Sequence, residues 1–123
     1  MYSGDRLNKN NISIDHYLPW SFTAHNREWN LIPTSKEVNS SKSNKLPDRR
    51  YYSQFLKIQH IALNEYHEIN KGDKYIENYH IDLNIAKSNL TLDNLEAKYN
   101  RIYKPLFSMA KNQGFETGWV YNG

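Results

Sequence analysis

The chain has 123 residues, enough for one folded unit but too few for two full-sized domains. A hydrophobic fraction of 38% and a mean hydropathy of −0.89 leave a thin apolar reserve, which ten Tyr, four Phe and three Trp enlarge with bulky rings. Sixteen basic against thirteen acidic residues give a net charge of +3, a mild preference for polyanions that does not by itself mark a nucleic-acid binder.

After a turn-rich opening over residues 1–11, residues 12–18 alternate Ile12, Ile14 and His16 with Ser13, Asp15 and Tyr17, the period of a strand, which Pro19 ends. Residues 20–29 show no sustained period and read as a loop pinned by Trp20, Phe22 and Trp29. A second short strand is predicted over residues 30–33. Thr34 stands three residues before Glu37, the spacing of a capping box, so a short helix over residues 35–43 is expected. Residues 39–45 also read as a polar linker, and Pro47 closes the segment in either case.

From Asp48 the spacing turns helical. Tyr51, Tyr52, Phe55, Ile58, Ala62, Tyr66 and Ile69 fall near one face, and Gly72 is the expected stop. A middle helix is predicted over residues 75–87. Thr91 opens a third, with Leu95, Tyr99, Ile102, Leu106 and Met109 on its apolar side, Pro105 to kink or divide it and Gly114 to end it. The tail carries Phe115, Trp119 and Tyr121, too apolar to be left in water. Tyrosines at helical spacing are read as core. His60, His67 and His80 are read as surface residues, since they lack the four-residue spacing of a helical zinc motif.

With no cysteine, disulfides and thiolate zinc sites are excluded, and any metal must be held by oxygen or imidazole ligands. The candidate chemistry lies in one ordered block: Asp15-His16, then Pro19, Ser21 and Phe22, then Asn30-Leu31, then Asn39, Lys42-Ser43 and Leu46-Pro47. This set resembles the HNH endonucleases of the ββα-metal class, in a variant without paired CxxC zinc ligands. The resemblance implies an α+β fold: a small antiparallel hairpin and helix over residues 1–47, braced by a helical extension over residues 48–123 within one folding unit. It also implies an endonuclease that hydrolyses DNA phosphodiester bonds with a divalent ion, Mg²⁺ ahead of Mn²⁺, in restriction, phage defence or mobile-element biology.

The site roles follow from the same resemblance. His16 would be the general base, since neutral imidazole accepts a proton from water near neutral pH. Asn30 would orient its ring, and Asp15 and Asn39 would be the metal ligands, each offering a hard oxygen. Lys42 and Lys45, joined by Arg49 and Arg50 in a basic cluster, would contact DNA phosphates. Neighbours on a regular strand point to opposite faces, so Asp15 and His16 meet one site only if the strand ends or twists there. His25 is read as an exposed loop histidine. The abrupt start leaves room for a missing N-terminal domain or a homo-oligomer partner. The rival expectation is a truncated, noncatalytic DNA-binding or interaction fragment of a larger HNH protein. No apolar run reaches signal-peptide or membrane-spanning length, so a cytoplasmic protein of bacterial or phage origin, without a membrane partner, is expected.

Overall fold

A computed structural model of the chain describes residues 1–4, 6–68, 72–85 and 91–122, the side chains of 66–68 and 72–76 excepted. Strand β1 (Ile12–His16) pairs antiparallel with β2 (Leu31–Ser35), in a register running from Ile12 opposite Ser35 to His16 opposite Leu31. The connection, expected as irregular, folds into a one-turn helix α1 (Trp20–Thr23) and a 3₁₀ turn (Glu28–Asn30). Helix α2 (Lys36–Lys42) follows β2 directly. A second 3₁₀ turn (Arg49–Tyr51) then leads into α3 (Tyr52–Glu68), α4 (Gly72–Leu83) and α5 (Leu92–Asn112). The α+β architecture, a hairpin and helix followed by helices, is the expected one.

Directly opposed residues of an antiparallel pair share a face. Here the inward face carries Asp15 with Ile32 and Ser13 with Thr34, while Ile12 and Ile14 are 43% and 52% exposed. Hydropathy alone would have turned the isoleucines inward. The polar set is buried instead because α2 lies across that face and supplies partners: Asn39 Nδ2 donates to Ser13 Oγ at 2.8 Å, and Lys42 Nζ to Asp15 Oδ1 at 3.2 Å.

Several boundaries differ from the sequence expectation. The ladder continues to Ser35, so Thr34 is a buried strand residue whose hydroxyl has no partner, and the helix cap falls to Ser35, whose side chain accepts from Val38 N at 3.2 Å. Gly72 opens α4 rather than ending the helix before it. The predicted middle helix begins earlier and ends at Leu83, where Asn84 turns to positive φ; residues 86 and 87 lie outside the described set. Helix α5 runs unbroken through Pro105. Thr91 caps it as expected, and Gly114 sits just past its end at φ +95°. Met109 is exposed, and Tyr103 takes a place in the core instead.

Tyr17, Tyr79, Tyr99 and Tyr103, with Phe55, Leu63 and Leu95, are fully buried where α3, α4 and α5 close on the hairpin. Tyr17 and Phe55 lie 4.1 Å apart between ring centres, and Phe55 stacks on Tyr103 at 5.7 Å. The inner edge of β2 is capped from α3, where Gln59 Nε2 donates to Leu31 O at 2.6 Å. Helix α4 is latched to the 3₁₀ turn by Trp29 Nε1, which donates to Asp82 Oδ2 at 2.7 Å. The tail, expected to need cover, finds it within the chain. Trp119 N donates to Leu46 O, Asp48 N to Trp119 O, and the Trp119 ring meets Tyr2 edge-on at 5.0 Å. Among the described residues no helix is long and apolar enough to cross a membrane.

Burial pushes the phenols of Tyr2, Tyr17, Tyr99 and Tyr103 well above their ordinary range near 10, desolvation being the first cause in each. Their full contribution to stability is therefore present below about pH 10 and is lost above it, because only the unfolded chain can then release these protons. Each such tyrosine removes about 1.4 kcal/mol of stability per pH unit above that point. Titration into alkali is expected to give one cooperative transition in which helical circular dichroism and phenolate absorbance change together. Phenolate absorbance from the whole tyrosine set appearing in a still-folded protein would contradict this.

Candidate active site

Strand β1 does end at His16, yet the two neighbours still part. Asp15 faces inward under α2, buried, while the half-buried His16 turns towards the α1 loop. Its Nε2 lies 2.8 Å from Asn26 Oδ1. An amide oxygen only accepts, so Nε2 donates this bond, and in the neutral tautomer that does so the lone pair lies on Nδ1. Asn26 thus holds the ring, the orienting role that the resemblance gives to Asn30. Asn26 stands in an aperiodic loop, and only its closeness in sequence to the site hinted at a part. His25, read as exposed, is half-buried with its ring 5.2 Å from that of Trp29, and burial lowers its pKa.

Asn30 is fully buried and bonded elsewhere. Its Nδ2 donates to Leu18 O at 2.9 Å, while its Oδ1 accepts from Leu18 N at 2.9 Å and from Tyr103 Oη at 2.8 Å. The side chain thereby extends the hairpin like one more ladder rung and ties it to α5. The expected ring-orienting role is corrected to one of backbone positioning: Asn30 fixes the chain just beyond His16.

Asp15 has both oxygens occupied. Tyr2 Oη donates to Oδ2 at 2.6 Å and Lys42 Nζ to Oδ1 at 3.2 Å; the ammonium also donates to His16 O at 2.8 Å. The Lys42 and Asp15 side chains are 0% and 3% exposed. Burial pushes the Asp15 carboxyl up and the Lys42 ammonium down, each opposed by the charge of the other. The expected phosphate contact by Lys42 is therefore corrected: its short distance along α2 from Asn39 turns it into the protein, not towards solvent. Lys45, one turn further, is half-buried, and Arg49 and Arg50 are exposed. Tyr2, the other partner of Asp15, lies in a segment with no periodic signal.

Asn39 and Lys42 share one face of α2, and their partners Ser13 and Asp15 share one face of β1, so the two expected metal ligands border the same seam. Among the described residues no group of three or more His, Asp and Glu side chains converges. A divalent ion would thus rely on Asp15, the Asn39 amide oxygen and water. The seam suits a cation, because one already stands there in the form of the Lys42 ammonium.

Two consequences for stability follow. Lys42→Met leaves Asp15 as a buried carboxylate without its counter-charge and is expected to cost about 3–5 kcal/mol, whereas adding Asp15→Leu should restore most of the loss. Equal destabilisation by the single and double variants in urea unfolding would disprove the pairing. Asn30→Ala removes the side-chain partner of Leu18 N and Leu18 O and leaves the Tyr103 hydroxyl only its bond to Trp29 O, at an expected cost of about 3 kcal/mol. Asn30→Asp should not rescue it, since a carboxylate cannot donate to Leu18 O.

Comparison with known proteins matches residues 1–48 to the family model described as HNH endonuclease. No curated protein and no solved structure matches the chain. The matched segment contains β1, β2, α2 and every residue of the His16 and Asp15 surroundings just described except the helices behind them. The first 48 of the 123 residues are thus similar to the HNH endonuclease family.

Proposed function

We propose that this chain is an HNH endonuclease that hydrolyses DNA phosphodiester bonds, with His16 as general base. The observation that carries this reading is the His16–Asn26 contact, which engages Nε2 and leaves Nδ1 without a protein partner on a half-exposed ring at the strand end. Nδ1 accepts a proton from the attacking water, and Asn26 holds the ring against rotation as that charge develops. Asn30 fixes the backbone from which the ring projects. Asp15 and Asn39 would hold the divalent ion, Mg²⁺ or Mn²⁺, in place of the Lys42 contact to Asp15 Oδ1. The ion, when bound, supplies positive charge to the leaving and phosphoryl oxygens. Lys45 contacts a phosphate beside the scissile one, with Arg49 and Arg50 beyond it. Residues 48–123 brace the nuclease motif within one folding unit.

A second reading, a noncatalytic nucleic-acid-binding protein, is favoured by the closed Asp15–Lys42 pair. In that case the ammonium never leaves and the motif serves only as structure.

Plasmid nicking with Mg²⁺ or Mn²⁺, against an EDTA control, separates the two. Under the nuclease reading His16→Ala reduces nicking by roughly a hundredfold or more while leaving DNA retention in gel shifts largely intact. Asp15→Ala and Asn39→Ala weaken both metal binding, read by calorimetry, and cleavage. Wild-type nicking by His16→Ala, or none by the unaltered protein with either metal, would rule the nuclease reading out.

A further inference from the structure

A groove of about 790 Å³ opens between the 3₁₀ turn at residues 49–51, α3, α5 and the C-terminal tail, and His16 is not among its lining residues. Its size falls within the range of sites that hold small organic groups. One wall is a strip of α5 in which Lys104, Phe107, Ser108 and Lys111 follow one another at helical spacing, so that an aromatic ring and a hydroxyl lie between two cations. The facing wall carries Arg49 and the half-buried ring of Tyr52.

The charges here are unbalanced. Arg49, Lys104 and Lys111 are exposed and have no ion-pair partner among the described residues. Of the lining carboxylates, Asp48 is engaged by Arg50, and Glu96 lies two turns down the helix from Lys104. Tyr17 contributes to the floor. It is 0% exposed, and its hydroxyl has no hydrogen-bond partner among the described residues.

We infer that the groove binds single-stranded nucleic acid, with a base against Phe107 and Tyr52 and the flanking phosphates on Lys104, Lys111 and Arg49. Aromatic faces interleaved with unpaired cations suit a strand whose bases are unstacked and whose backbone carries one charge per nucleotide. A duplex hides its base faces and gains only the charge term. This rests on the nuclease reading for the choice of nucleic acid over other polyanions.

The test is fluorescence anisotropy of a labelled oligothymidylate of eight nucleotides, in EDTA, with a duplex of equal length and a polyglutamate of similar charge as comparators. The unaltered protein is expected to prefer the single strand over both by roughly tenfold. Lys104→Gln combined with Lys111→Gln, both exposed positions, should weaken single-strand binding and lower the slope of log K against log salt by about 1.4. Phe107→Leu, which keeps apolar bulk, should lose roughly five- to tenfold for the single strand with little change for the duplex. Unchanged affinity and salt slope in the lysine double variant, or polyglutamate bound as tightly as the oligonucleotide, would overturn the assignment. Because EDTA prevents cleavage, an inactive His16 site leaves this result untouched, and a failed groove leaves the nicking assay to stand on its own.

Discussion

The amide of Asn30 joins three stretches of chain that are far apart in sequence. Through Leu18 N and O it fixes the segment leaving β1, through its own backbone oxygen it receives Tyr17 N, and through Oδ1 it takes the hydroxyl of Tyr103 on α5. Tyr99 and Tyr103 also donate to the neighbouring Trp29 O. A small hairpin with one helix has too little apolar surface to stand alone. Here the shortfall is met by directional bonds from the tyrosines of α5 into the backbone of the motif. Every hydroxyl so used is sheltered from water, where a lost bond is costly. The helices therefore fix the position of the hairpin as well as covering it.

The Asp15–Lys42 pair shows the same preference for buried polar contacts, at a place where chemistry is expected. A carboxylate at that depth needs a positive partner at all times. The lysine fills that need, with Tyr2 and the His16 carbonyl completing the shell.

Much of the architecture could be read from the residues. The alternation over residues 12–18 gave the first strand, Thr91 and Gly114 bracketed α5, and the ordered Asp15-His16, Asn30 and Asn39 block pointed to the family. Local patterns misled where tertiary contacts decided the outcome. The cap moved from Thr34 to Ser35 because strand pairing claimed Thr34 first. Gly72 begins a helix, although glycine more often ends one. Lys42 is expected at a DNA phosphate because lysines usually face outward, and nothing in its neighbours along the chain signals the carboxylate that it meets 27 positions away. Tyr2 and Asn26, which complete the surroundings of Asp15 and His16, lie in segments with no period to read.

The tail offers a last point. Trp119 hydrogen-bonds on both sides of Pro47 and packs against Tyr2, whose hydroxyl holds Asp15. On the ribosome, Trp119 emerges long after the hairpin, α2 and all the candidate catalytic residues. Until it arrives, Tyr2 has only the rings of Tyr17 and Tyr51 beside it. The order of synthesis thus leaves the packing around the Asp15 shell to be completed by one of the last side chains to emerge.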